Sequence, residues 1–364
     1  MTYEFLQHYW SFVGALSGAL LVSLLFVQGV NAVAHSLDYS DDSRRMIYDS
    51  IGCRWAATFV ALIAFCGISF TAFPVFFFTS FGGAYWLWAI LLATFVLQAI
   101  GYVLQSKVKH VGAFRFFQIL NGYIGPMLLG SIVATLYEGA NFIVGKSSMT
   151  DATSVATTVH WGNASQGLDV LINPWVLIFS VDIFFLSRIL GILYLRRKVN
   201  DEEIRNNGYG RLIAAAIHFV GLFLIFFVHL LLKDGYSYNE GNFIYMEPSK
   251  YLANFTNMWY LSMVLLAGLV LILYGTLRAI IHKTYTGGFW PTVIGTIFFV
   301  LALVLCAMWN HTAYFPSTED LQSSLTIANS CNHELVLQTM FYISLPIPLI
   351  VAYIIYHWRK KLEK

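Results

Sequence analysis

Long apolar runs separated by short polar stretches recur nine times along the chain, at about 9–33, 56–80, 84–105, 116–139, 174–196, 211–233, 257–281, 289–310 and 336–358. A helix needs about 20 mostly apolar residues to cross roughly 30 Å of hydrocarbon, and every run reaches that length. Because the runs are apolar on all faces and not in a single stripe, they read as spanning helices and not as helices lying on a surface. The expected fold is an all-α integral membrane protein of about nine transmembrane helices, forming a single transmembrane domain over 1–364. With a charged break at 197–210 between helices five and six, the expectation is a first four-helix half (1–140) and a second (174–310), two four-helix bundles plus one peripheral helix (336–358). No residue-level repeat relates the halves. Polar stretches at 140–173, 234–256 and 311–335 read as loops, and Asp201, Glu202, Glu203 and Arg205 as a solvated linker; no soluble domain is expected.

Charge gives the bundle a direction. Of the 21 Lys and Arg, 17 fall after helices one, three, five and seven or in the carboxyl tail: Arg44, Arg45, Arg54, Lys107, Lys109, Arg115, Arg196, Arg197, Lys198, Arg205, Arg211, Arg278, Lys283, Arg359, Lys360, Lys361 and Lys364. Lys146, Lys233 and Lys250 lie on the other side and Arg188 inside a helix, so the N-terminus is expected outside and the C-terminus in the cytoplasm of a bacterial cytoplasmic (inner) membrane protein with many passes. Aromatic residues agree, with Tyr9, Trp10, Tyr85, Trp86, Trp175, Trp259 and Trp309 at the outer boundary and Trp55, Trp290 and Trp358 at the inner one. A composition of 58% hydrophobic and 11% charged residues, with mean hydropathy +0.67, fits a chain solvated by lipid and by itself. The first residues lack the basic start of a signal peptide, and the apolar run continues to Ala34. Cys53, Cys66, Cys306 and Cys331 form no CxxC pair, so neither a disulfide framework nor a zinc site is expected, and a net charge of +2 points to no nucleic-acid partner.

Ionisable groups inside a membrane are costly and therefore functional candidates. Asp182 and Arg188 share helix five, about 240° apart around it, so each is expected to meet a polar group on a neighbouring helix, with a proton or ion pathway and substrate binding as the alternatives. His218 and His229 share helix six on different azimuths, and no histidine pair has a haem-ligating arrangement, so no cofactor or metal is expected on this chain. Gly14 and Gly18 permit close helix packing on helix one, and Pro74, Pro126, Pro346 and Pro348 should kink or end helices. More informative is a polar cluster: Gln28, Asn31 and His35 along one face of helix one, Gln98 and Gln105 along one face of helix three, and Gln118 and Asn121 at the start of helix four. It reads as a neutral hydrogen-bonded seam joining three helices, or as a hydrated proton route, in which His35 is the titratable member.

At these residues the sequence resembles the second subunit of the cytochrome bd quinol oxidases. The resemblance runs from QGVNAV (28–33) through DSRRMIYDSIGCRW (42–55) and FPVFFFTSFGGAYW (73–86) to Gly101 and Ser106-Lys107, and resumes at FPSTEDLQSSLT (315–326), Leu335, Leu337 and Met340. It implies a membrane heterodimer with a larger subunit I that carries the b- and d-type haems, quinol as substrate of the complex, oxygen reduced to water there, and no haem on this chain. Some family members hold a structural quinone in this subunit, and some complexes contain a small accessory subunit. This chain departs from the family where better-known members have acids, carrying Gln28 and Asn31, and Ala56 after the matched Trp55. Family arginines and an acid at the end of helix three become Gln98, Gln105 and Val103, so an ionic network is exchanged for a neutral amide one and no carboxylate relay is expected. A multi-helix secondary transporter is the alternative; it would need substrate-lining charges and broken helices.

Overall fold

The computed structural model describes residues 1–36, 40–51, 54–105, 112–145 and 159–346. Lys107, Lys109, Lys146, Cys53, Pro348, Trp358, the tail cations and most of the expected ninth helix lie outside the described residues. Within them the chain is mostly helical, and eight helices are long and apolar enough to span a membrane.

The first span is made of α1 (Tyr3–Ser23) and α2 (Phe26–Ser36), broken at Leu24–Leu25. Ser23 returns its hydroxyl to the Leu20 carbonyl at 2.7 Å, a bond that bends helices, and Thr58 donates to the Leu24 carbonyl at 3.0 Å. The second span is preceded by α3 (Asp41–Ile51), continues as α4 (Trp55–Ala72), and stops where Pro74 opens the short α5 (Pro74–Phe77), which runs into a π-helical turn at Phe78–Gly83. Next come α6 (Tyr85–Gln105), α7 (Gly112–Glu138) and α8 (Pro174–Lys198). The bundle is completed by α9 (Glu202–Leu232), the short α10 (Lys250–Asn257), α11 (Trp259–Ile281) and α12 (Phe289–Met308). Pro126, expected to kink or end a helix, sits inside α7 without ending it.

The stretch read as a solvated linker is the start of α9. Asp201 caps it by accepting from Ile204 N at 2.9 Å, and Glu202 and Glu203 fill the first turn, where the helix dipole favours acids. Glu203 also accepts from Ser40 N at 2.9 Å and from the Ser40 and Ser43 hydroxyls, tying the start of α3 to α9.

Packing divides the first span between two neighbourhoods: α1 lies on α4 and α12, and α2 on α7 and α8. The closest approaches need glycine. A Cβ on Gly29 of α2 would lie 1.8 Å from the Ser187 carbonyl oxygen of α8, and one on Gly191 would lie 2.5 Å from the Gly29 carbonyl carbon. Two further pairs clamp α11 to α12: a Cβ on Gly268 would lie 2.8 Å from the Gly295 oxygen, and one on Gly275 2.5 Å from the Gly288 oxygen. Gly14 and Gly18, expected to permit close packing, meet only Phe73 and Phe65 side chains at 3.7 and 3.5 Å.

The stretches read as loops carry two short hairpins where described, within a fold that is otherwise helical. β1 (Phe142–Val144) pairs antiparallel with β2 (Val159–Trp161), and β3 (Gly235–Tyr238) with β4 (Ile244–Glu247). Bridges Ala140 to Ser317, Ser237 to Thr312 and Phe315 to Leu325 knit these hairpins to the 310–326 segment. They form a cap over one end of the bundle, followed by α13 (Ile327–Ser330) and α14 (Glu334–Ser344), the described part of the expected ninth helix. The same end receives the N-terminus, where the Tyr3 hydroxyl donates to the Asn332 carbonyl at 3.0 Å.

Candidate functional site

The amide cluster is a buried seam between α2, α6 and α7. Gly122 brings α7 against α2, for a Cβ there would lie 2.8 Å from Ala32 N, and this places three amide side chains within reach of one another. The Gln28 amide donates to Gln98 Oε1 at 3.1 Å and to Asn121 Oδ1 at 3.0 Å; Asn121 donates to Thr94 Oγ1 at 3.1 Å, and Thr94 to the Leu91 carbonyl at 2.8 Å. Tyr102 donates its hydroxyl to Asn31 Oδ1 and stacks parallel to Trp55, rings 6.4 Å apart, so Trp55 joins the seam through Tyr102. Gln28, Asn31, Gln98, Gln118 and Asn121 are fully buried. Three seam atoms, Gln28 Oε1, Asn31 Nδ2 and Gln98 Nε2, have no hydrogen-bond partner among the described residues.

Two expected members stand apart. His35 is exposed at the end of α2, edge-on to Tyr123 of α7 at 6.4 Å and outside the hydrogen-bonded cluster. Gln105 ends α6, and its side chain lies outside the described residues. The hydrogen-bonded groups of the seam are therefore amides and hydroxyls, which accept and donate hydrogen bonds without taking a charge at neutral pH.

Asp182 and Arg188 do not meet each other. Asp182 is fully buried, on the face of α8 flanked by Phe179 against Phe226 and Phe185 against His218 of α9. The neighbouring-helix hydrogen bond expected for it is not formed: neither carboxyl oxygen has a hydrogen-bond partner among the described residues. Arg188 places its guanidinium 5.5 Å from the centre of the Phe184 ring on its own helix.

A second ionic site was not foreseen from sequence. Glu138, at the end of α7 and nearly buried, accepts from Lys233 Nζ at 2.6 Å and meets His229 Nε2 at 3.0 Å. Lys233 also donates to the Tyr137 carbonyl at 3.1 Å, and Asn173, the N-cap of α8, donates to Glu138 at 3.4 Å. The His229 ring lies flat on Trp175, 3.7 Å away. The signal was present, since Glu138 falls inside the apolar run 116–139 and His229 and Lys233 are one helical turn apart. His218, on the same helix, bonds the Ala214 carbonyl at 2.7 Å, and no group of three metal-ligating side chains occurs among the described residues.

Comparison with known proteins bears on the whole chain. The family model for cytochrome bd terminal oxidase subunit II matches residues 6–360. The chain is similar to the cytochrome bd-I ubiquinol oxidase subunit 2 of Escherichia coli K12, 23% identical over 96% of this chain and 93% of that one. It is likewise similar to a probable cytochrome oxidase subunit 2 of Haemophilus influenzae, 23% identical over 98% of this chain and 94% of that one. In fold it matches a chain of the bd oxidase from Geobacillus thermodenitrificans with a TM-score of 0.60 and 11% identity, covering 98% of both. The chain belongs to the cytochrome bd terminal oxidase subunit II family.

Proposed function

We propose that this chain is the haem-free second subunit of a bd-type terminal quinol oxidase. It pairs with a larger subunit I carrying haems b and d, in a complex that oxidises quinol, reduces oxygen to water and builds proton motive force in the bacterial cytoplasmic membrane. The observation that carries this reading is the family match over nearly the whole chain. Support for its haem-free part comes from the helix-six histidines: His229 is bonded to Glu138 and covered by Trp175, and His218 is turned back onto its own helix. In this reading the chain has its N-terminus outside and nine spans, and membrane lipid surrounds it.

What the chain's own residues do follows from the seam. Gln28, Gln98 and Asn121 hold three helices in register without a buried charge, so they stabilise the subunit and store no proton, and proton uptake runs mainly through subunit I. A structural quinone does not fit the apolar cleft between α1, α4, α7 and α12. At about 80 Å³ the cleft is below the size of a small-molecule site, and the hydroxyl of its Tyr314 is engaged by Ser330 at 2.7 Å.

The test is to express the tagged chain with and without the larger subunit and record reduced-minus-oxidised visible spectra of the purified material. Haem bands are expected only when the larger subunit co-purifies; a coloured chain on its own refutes the assignment. In the same complex, His35→Ala should leave turnover per haem unchanged, and abolished turnover with assembly intact would overturn the structural role of this face.

A further inference from the structure

At the end of the bundle opposite the cap, a cleft of about 620 Å³ opens where the α1–α2 break, the start of α4, the end of α8 and the start of α12 meet. Its floor is a cluster of three rings: Phe26 lies 4.7 Å from Tyr194 and 5.5 Å from Phe289, and Tyr194 5.5 Å from Phe289. Three cations line its mouth, Arg54 from the turn before α4 and Arg197 and Lys198 from the last turn of α8. Arg54 is held in place, donating to the Tyr194 hydroxyl, which in turn donates to the Ser50 carbonyl at 2.7 Å. Arg197 lies 5.8 Å from the centre of the half-exposed Trp290 ring. Among the described residues no carboxylate lines the cleft, and none of the ion pairs found there involves Arg54, Arg197 or Lys198.

We propose that this cleft binds an anionic phospholipid, its phosphate on Arg54, Arg197 and Lys198 and its acyl chains along Phe289, Trp290 and Val293. Three cations gathered at a helix end beside an apolar wall match the two halves of such a molecule, a charged head and a hydrocarbon tail. A soluble phosphate would use the cations and leave the wall idle. Basic pockets between spanning helices on the cytoplasmic side are the usual seats of anionic headgroups, and the excess of cations on this side agrees with that placement. Arg54 is the preorganised member, for its hydrogen bond and its position 5.4 Å over the Tyr194 ring fix the guanidinium before anything binds.

The test uses the intact oxidase, stripped of lipid in detergent and titrated with phosphatidylglycerol, with phosphatidylcholine and inorganic phosphate as the comparisons, reading bound lipid by native mass spectrometry and thermal midpoint in parallel. The variant carries Arg197→Gln and Lys198→Gln, both exposed, leaving the Arg54–Tyr194 bond intact. At about fivefold per removed cation, phosphatidylglycerol should bind roughly 30-fold more weakly to the variant, while phosphatidylcholine is unaffected. The proposal falls if the weakening is under threefold, if phosphatidylcholine raises the wild-type midpoint as much, or if millimolar phosphate does so, which would make it a soluble-anion site. Should the double variant not assemble, loss of the wild-type preference for phosphatidylglycerol between 50 and 500 mM salt is the expected result, and a salt-independent preference refutes the proposal.

Discussion

Gly29→Ala is the sharpest test of how the bundle is held. The added methyl would lie 1.8 Å from the Ser187 carbonyl oxygen, against an ordinary contact of about 3.4 Å, so α2 and α8 must part by roughly 1.6 Å. Neither side yields easily, because the obstacle is backbone and because α2 is backed by α7, where Gly122 already rests against Ala32. Overpacking of a side-chain core costs about 1–3 kcal/mol, and backbone against backbone belongs at the upper end. Displacing α2 also strains the two bonds from Gln28, worth about 1 kcal/mol each. A total of about 3 kcal/mol or more should lower the apparent melting midpoint of the purified complex by roughly 5 °C or reduce its yield outright. The controls are Gly67→Ala and Gly221→Ala, both helical and with nothing within 4 Å of the added methyl, for which no loss is expected. If Gly29→Ala melts with these controls, the close approach of α2 and α8 is not what holds the two halves together.

Asp182→Leu removes a buried carboxyl that has no hydrogen-bond partner among the described residues, so the complex should gain about 1–3 kcal/mol in stability with turnover per haem unchanged. Turnover lost from a stable complex would instead make Asp182 a proton carrier. Glu138→Gln breaks the pairs with Lys233 and His229 and should cost about 3 kcal/mol, measured as a fall in melting midpoint; in a double-mutant cycle Lys233→Met should recover part of it, and strict additivity would refute the coupling. In the cap, partial burial pushes the Glu247 carboxyl up, but its bond to Lys250 at 2.8 Å and the Ser237 hydroxyl outweigh this and hold it below the usual carboxylate range. A depressed carboxyl contributes stability above its unfolded value, so this contribution is full near pH 7 and is lost as the pH falls below about 4.3; Glu247→Gln should flatten that part of the melting-versus-pH curve, and an unchanged curve counts against it.

The spans were legible because lipid demands uniform apolarity over a fixed length, and that demand is written residue by residue. Boundaries were less so. The start of α9 was missed by nine residues because Asp201, Glu202 and Glu203 look like a linker when only hydropathy is weighed, although as a cap and first turn they mark a helix start. The amide seam could be read from spacing along single helices, yet its partners could not, since only the packing of α7 on α2 shows that Gln28 reaches Asn121 and that His35 does not belong. Asp182 was expected to find a polar neighbour on the general ground that buried charge is paired, a ground that spacing along one helix cannot check, and neither of its oxygens finds a hydrogen-bond partner among the described residues. Glu138 was overlooked for the opposite reason: it sits at a helix end where a carboxylate is unremarkable, and its partners arrive from α9, some 90 residues away in sequence.

The clamp between α11 and α12 has a consequence for how the protein is made. Its four glycines, Gly268 and Gly275 of α11 facing Gly295 of α12 and Gly288 at its N-cap, are spaced seven residues apart on each side, and they bring backbone against backbone. Such a pair needs no other part of the chain to find its register, so it can leave the insertion machinery as a finished hairpin and wait in the bilayer for α1 to dock. The latitude left to the rest of the hairpin is unequal: α11 is largely exposed and asks of most of its residues little more than that they dissolve in lipid, whereas α12 is mostly buried and must also fit the helices it packs against.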